Sequence, residues 1–174
     1  MNPLAVRDAT AEDMPALTEL YAQTFPDEDL APLVAALLKQ GDGVRSRVAQ
    51  RDMQIIGHIA FTLCELEDTQ TPVALLGPLA IAPAQQRQGT GRALIMDGLA
   101  IMAETGASHV CVLGDPGYYG RFGFEADPQI LPPYPIPPEW SEAWQSIALP
   151  RASAHPQGKL SVPVPWQDRA LWSL

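Results

Sequence analysis

Cysteine, basic side chains and long apolar runs are all scarce in this chain. Only Cys64 and Cys111 are present, far apart and each inside an apolar stretch, and no Cys-x-x-Cys occurs. That argues against a disulfide scaffold or a cysteine-built zinc site and leaves two buried, reduced thiols as the expectation. Lys and Arg number 11 against 20 Asp and Glu, for a formal net charge of −9 and a pI near 4.6. The cations are scattered, so nucleic acid is not an expected partner, while a cationic amine would be electrostatically welcome. No apolar run is long enough to cross a bilayer, so no membrane partner is expected either. His58, His109 and His155 are dispersed without ligand spacing, which argues against a metal site. Met1-Asn2-Pro3-Leu4 lacks the basic stretch and apolar run of a secretion signal, and a cytoplasmic location is expected.

With 174 residues, 47% of them hydrophobic, the chain reads as a single domain over 1–174. Its core spans about 4–127, with the remainder packed on it. A short strand at Leu4–Arg7 leads to Thr10 and Asp13, a capping-box-like start, and a helix to about Thr24 carrying Met14, Leu17, Leu20 and Tyr21 on one face. A second helix is expected over Leu30–Lys39, after the acidic loop Asp27-Glu28-Asp29. Val44–Gln50 and Gln54–Glu67 read as a β-hairpin, with Ile59, Phe61 and Leu63 alternating against His58, Ala60, Thr62 and Cys64. A third long strand ends near Ala82. A helix over Gly91–Glu104 buries Leu94, Ile95, Leu99 and Met102, and His109–Leu113 reads as a central strand. Eleven of the 18 prolines lie at or beyond Pro116, so an extended ordered loop or lid is expected around 131–138. Two short strands follow, at Trp144–Leu149 and Lys159–Val164. Tryptophans 140, 144, 166 and 172 suggest a tail packed on the body, and the tail is a candidate surface for homodimerisation.

Three features carry chemistry. Gly77-Pro78 sits inside an otherwise central strand, where proline cannot donate to a ladder; a bulge or splay there frees main-chain groups of Leu79, Ala80 and Ile81 for an extended ligand. Gln86-Arg87-Gln88-Gly89-Thr90-Gly91 then joins strand to helix. The unpaired amides and dipole of a helix start suit a phosphate, and glycines let an anion approach the main chain. The next strand ends in Gly114-Asp115-Pro116-Gly117-Tyr118-Tyr119-Gly120-Arg121-Phe122-Gly123-Phe124, putting two phenols beyond its C-terminal end, where α/β sheets bind ligands. A nucleotide-binding enzyme with the same loop is the weaker alternative. There is no GxxxxGK[ST], and leucine replaces the third glycine of a dinucleotide fingerprint.

The pattern Gln86-x-x-Gly89-x-Gly91 resembles the acyl-CoA loop of the GNAT superfamily of N-acetyltransferases, and Tyr119-Gly120-Arg121-Phe122-Gly123-Phe124 is similar to that family's Tyr-x-x-x-Gly-Phe segment. The longer string from Leu113 to Phe124 resembles the YhbS-like subgroup of predicted acetyltransferases. The resemblance implies an α/β (α+β) fold with a mixed, mostly antiparallel central sheet, a splayed pair of parallel strands and flanking helices. It implies acetyl-CoA as co-substrate, no metal, and a small-molecule or peptide amine as acceptor. Main-chain atoms of Leu79, Ala80 and Ile81 would bind the pantetheine arm. Gln86, Arg87, Gln88, Gly89, Thr90, Gly91 and Arg92 would hold the pyrophosphate, and Tyr119 would protonate the departing thiolate. Many members carry an asparagine near the end of the strand before the tyrosine and a glutamate on the splayed strand. Here Val112-Leu113-Gly114-Asp115 and an acid-free 76–82 stand instead. Glu65, Glu67, Asp115 or water remain as bases, and an acyl-CoA-binding sensor or scaffold without turnover is the alternative.

Overall fold

Helix starts and strand ends follow local chemistry closely in this computed structural model, which describes residues 2–173. The chain runs β1 (Ala5–Asp8), α1 (Met14–Thr24), α2 (Ala31–Leu38), β2 (Val44–Arg51), β3 (Gln54–Leu66), β4 (Pro72–Ile81), α3 (Thr90–Ala103), β5 (His109–Leu113), α4 (Pro116–Tyr119), β6 (Glu125–Ala126), β7 (Ile130–Leu131), β8 (Trp144–Ala148) and β9 (Gly158–Ser161). β4 with β5 and β7 with β9 are parallel; β1–β2, β2–β3, β3–β9, β5–β8 and β6–β8 are antiparallel. The backbone forms two compact units, residues 1–62 with 77–100 and residues 63–76 with 101–174, so β3 and β4 each run from one into the other.

In the first unit, Asp13 closes the chain entry to α1. Its carboxylate accepts the Thr10 amide at 2.8 Å and the Arg7 guanidinium at 2.8 and 2.9 Å. The apolar face of α1 then buries Leu17, Leu20 and Tyr21 with Val34 of α2, Val48 of β2 and Ala80 of β4. The alternation expected along β3 does not separate a wet face from a dry one. His58, Ile59, Ala60, Phe61 and Thr62 are all at 0% exposure, because both faces are covered. α3 lies so close on β3 that a Cβ on Gly98 would fall 1.9 Å from the Phe61 ring. Arg47 of β2 fixes the same helix through a two-pronged contact with Asp97, at 2.9 and 3.1 Å.

The second unit is the proline-rich one. β5 pairs with β4 on one side and β8 on the other, and β6 adds to β8. Residues 132–137 form neither helix nor strand, as proline's missing donor dictates, and the short β6 and β7 were not foreseen from sequence. The tail is anchored by tryptophans. Trp172 packs at 5.8 Å from Trp144 and 5.9 Å from Trp166, and its indole N–H donates to the Trp166 carbonyl. Trp140 stays only half-buried.

Candidate active site

The parallel ladder of β4 with β5 covers Ala74–Leu76 and stops there, immediately before Gly77-Pro78. That peptide bond is cis, with Gly77 at φ 150, so the expected break in the ladder falls where proline removes a donor. Beyond it, Leu79 and Ile81 are half-buried and Ala80 is buried. The Ile81 carbonyl is committed: Thr24 Oγ1 donates to it at 3.3 Å and Gln86 Nε2 at 3.1 Å. Thr24, at the end of α1, was not anticipated, since nothing local links it to a residue so distant in sequence.

The loop from Gln86 to Gly89 is exposed and shaped by its own side chains. Gln86 reaches back to Ile81, and Gln88 Nε2 donates to the Ala84 carbonyl at 3.2 Å. Both glutamines therefore hold the loop's form and leave main-chain amides as its polar surface. Arg87 at φ 63 and Gly89 at φ 86 both take left-handed conformations. Nothing lies within 4 Å of a Cβ built on Gly89, so glycine serves the backbone angle and an open approach, not close packing. The first helical bond of α3 runs from Ala93 N to Gly89 O, so the amides of Thr90 and Gly91 precede the helix's own ladder. Thr90 is 1% exposed, and its hydroxyl is the one buried side-chain polar atom among the described residues without a hydrogen-bond partner. Such an orphan calls for an explanation, and a ligand is one. Arg87 and Arg92 are exposed beside it.

In the second unit, Asp115 caps α4 with its carboxylate accepting the Gly117 amide at 2.9 Å. The short helix sets Tyr118 and Tyr119 edge to face at 5.0 Å, and Tyr119 also meets Phe124 at 5.6 Å. Tyr118 packs on Phe122 and under the Arg121 guanidinium, a structural wall. Burial raises the Tyr119 phenol above its ordinary value, so it carries its proton throughout the neutral range. Its hydroxyl makes no hydrogen bond within the described residues. Of the candidate bases, Glu65 and Glu67 are exposed near the end of β3, and Asp115 is engaged in its cap.

One cluster escaped the sequence reading altogether. His109 and His155, dispersed along the chain, come to 4.6 Å ring to ring, and His155 Nε2 lies 2.9 Å from Asp127. Asp127 also accepts from Ser146 Oγ and from the amides of Gln129 and Ile130, and these bonds outweigh desolvation and hold its carboxyl below its ordinary value. Ser146 donates to the carboxylate and not to an imidazole, so this is no nucleophile–base pair. The cluster lines a recess of 410 Å³ and fastens the tail through His155. Among the described residues no group of three or more His, Cys, Asp or Glu is arranged to hold a metal, and no helix is long and apolar enough to cross a membrane. Burial pushes the Cys64 thiol up to about 12 and Cys111 well above its ordinary value, leaving both protonated.

Residues 5–126 match the sequence profile of the family described as acetyltransferase (GNAT) domain. The chain is 33% identical over 144 residues to the uncharacterized N-acetyltransferase YjhQ of Escherichia coli K12, covering 79% of this chain and 80% of that protein. Among solved structures, the GNAT family N-acetyltransferase YhbS from Escherichia coli in complex with CoA superposes with a TM-score of 0.85 at 27% identity, covering 97% of this chain and 94% of that one. A GNAT family acetyltransferase from Brucella melitensis in complex with acetyl-CoA gives 0.78 at 27% identity, over 96% and 100%.

Proposed function

This chain belongs to the GNAT family of N-acetyltransferases, and from that premise we propose that it moves the acetyl group of acetyl-CoA directly to a primary amine. The observation that carries the cofactor assignment is the start of α3: an open, left-handed Gly89, amides ahead of the helical ladder, and the orphaned Thr90 hydroxyl. Gln86 to Gly91, with Arg92, would hold the pyrophosphate through main-chain donors and the helix dipole. Main-chain atoms of Leu79, Ala80 and Ile81 would line the pantetheine arm.

The amine lone pair attacks the thioester carbonyl carbon, and collapse of the tetrahedral adduct breaks the C–S bond. The nitrogen loses a proton and the thiolate gains one. Tyr119 is the donor to sulfur in this reading. Burial raises its pKa, so it stays loaded with a proton, but a phenol above ~10 gives that proton uphill to a thiolate near ~8.5. The nitrogen's proton leaves to a base, and the phenolate regains one from that base or from water, so the protons balance over the cycle. Glu65, Glu67, Asp115 or water takes the nitrogen's proton, and the acceptor is a small-molecule or peptide amine. We treat 1–174 as one acyltransferase domain, since the family match at 5–126 draws on both units. Cys64 and Cys111 are both thiols and not a disulfide, which supports a reducing, cytoplasmic setting.

Calorimetric titration with acetyl-CoA, and with CoA, ATP and NAD as comparators, tests the cofactor assignment. Micromolar acetyl-CoA binding, about −8 kcal/mol, is expected. Binding without thiol release to any amine would favour a sensor. Absence of binding, or preference for ATP or NAD, would overturn the reading.

A further inference from the structure

We propose that Gly114 is a positioning residue for the reaction: the space left by its missing side chain is the seat of the Tyr119 ring. The inference rests on the reading of Tyr119 as the proton donor and adds to it the residue that fixes where the donor stands. A Cβ built on Gly114 would lie 2.4 Å from Tyr119 Cε2, 3.0 Å from Cδ2 and 3.5 Å from Cζ. These atoms form one edge of the ring, up to the carbon that bears the hydroxyl, so that edge occupies the volume that any other residue's side chain would fill. Gly114 is not among the positive-φ glycines, so an alanine there fits the backbone, and only space forbids it.

Gly114 cannot yield either. Its N–H donates to the Ala143 carbonyl at 3.0 Å, and its carbonyl accepts from Gln145 Nε2 at 3.1 Å. Gln145 is 1% exposed and also donates to Ala143 O, so it locks the end of β5 from within the fold. From the other side, α4 is held by the Asp115 cap, and the Tyr118 and Tyr119 amides donate to Asp115 O at 3.0 Å. With both backbones fixed, an added methyl group is relieved by swinging the Tyr119 ring. Proton transfer is sensitive to displacements of about an ångström, so the phenol leaves its working position. The glycine at the strand end thus trades a side chain for a rigid seat.

The test compares Gly114→Ala, Tyr119→Phe and their double variant in the full chain. Turnover is read with acetyl-CoA and whichever primary amine, from a panel of polyamines, amino acids and amino sugars, gives the fastest thiol release. Gly114→Ala is expected to lower kcat at least tenfold with the acetyl-CoA Kd within twofold. The double variant is expected to be no slower than Tyr119→Phe alone. An ultraviolet pH titration of the phenols, read against Tyr119→Phe, needs no acceptor and is expected to move Tyr119 towards its ordinary value in Gly114→Ala. If Gly114→Ala is poorly folded, pairing it with Tyr119→Ala removes the ring and restores the melting temperature. Unchanged kcat in Gly114→Ala while Tyr119→Phe is slow would overturn this proposal alone, as would additive losses or no thermal rescue. Unchanged kcat in Tyr119→Phe would remove the acid role itself.

Discussion

The loop before α3 and the segment after β5 are built on opposite principles. The loop offers main chain: its glutamine side chains are spent on Ile81 and Ala84, nothing stands within 4 Å of where a Gly89 Cβ would lie, and amides remain beside the exposed Arg87. The segment after β5 offers one side chain, and everything around it is packing. Gly114, Tyr118 and Phe124 surround the Tyr119 ring, while backbone bonds to Ala143 and Asp115 hold both ends. The difference matches the tasks proposed for the two. A pyrophosphate carries its charge for the whole catalytic cycle and needs many weak donors, which backbone supplies without side-chain entropy. A proton donor acts on one atom at one moment and needs rigidity.

The largest effect expected is on that single side chain. Tyr119→Phe removes only the hydroxyl, and general acid catalysis is worth about 10²–10⁴ in rate. We expect kcat to fall within that range while acetyl-CoA affinity, measured calorimetrically, holds within twofold. A loss carried by affinity would mean that the phenol binds cofactor, and the contrast between the two segments would collapse.

The units also contrast in how they bury titratable groups, which predicts the next effect. His58 of β3 is fully buried between Tyr21 Oη and Ser46 Oγ, each 2.7 Å from a ring nitrogen. Burial lowers its pKa from 6.5 to about 3, the Asp13 charge opposing only weakly. The unfolded chain therefore binds a proton that the folded chain refuses, and stability falls as pH drops from 6.5 towards 3. The slope is about 1.4 kcal/mol per pH unit at most. Asp127 behaves in the other sense. Its folded pKa lies below the ordinary 3.8, so its contribution is intact above that value and is lost only as pH falls through the lowered one. Thermal melts from pH 6.5 to 4.5 should lose stability in the parent. His58→Gln should flatten that slope without abolishing it, because burial also lowers the pKa of His109, which titrates in the same sense. Equal slopes in the parent and His58→Gln would mean that other groups set the slope in this window.

Much of this was legible in advance, for a physical reason. Elements governed by neighbours in sequence, such as the Asp13 entry to α1, the β5 run and the Gly77-Pro78 break, emerged with boundaries within a residue or two. So did the two motif-bearing turns. Groups brought together over long distances in sequence did not. Thr24 meeting Ile81, Gln145 locking Gly114, and His109, Ser146 and His155 gathering at Asp127 depend on register, which no local pattern encodes. Gly114 is an intermediate case. The sequence shows the stretch Val112-Leu113-Gly114-Asp115 without the asparagine common in the family, but the use made of Gly114 is visible only once the Tyr119 ring is seen in its space.

A smaller effect is expected in the loop. At φ 86 any residue with a Cβ is strained, at about 1–2 kcal/mol, although the surrounding space is open. Gly89→Ala should therefore weaken acetyl-CoA binding by about tenfold, by unsettling the amides, and leave kcat at saturation nearly unchanged. A fall in kcat without a change in Kd would assign the loop a chemical role and reverse the comparison.

The smallest effect expected is at Cys64, and it bears on the mechanism more than its size suggests. A thiol on β3 would be the natural carrier if the acetyl group passed through the enzyme, since thioester exchange is nearly isoenergetic. Such a carrier must be a thiolate when it attacks, and burial pushes Cys64 to about 12, which leaves few molecules ionised near neutrality. Cys111 is buried further still, and burial raises its thiol well above its ordinary value. Cys64→Ala should thus keep kcat within twofold, and initial-rate patterns should show both substrates bound together instead of ping-pong. A large loss in Cys64→Ala, with labelled acetyl retained on the protein, would replace direct attack by a covalent relay. The chemistry would then move from the phenol at the end of β5 to a thiol on β3.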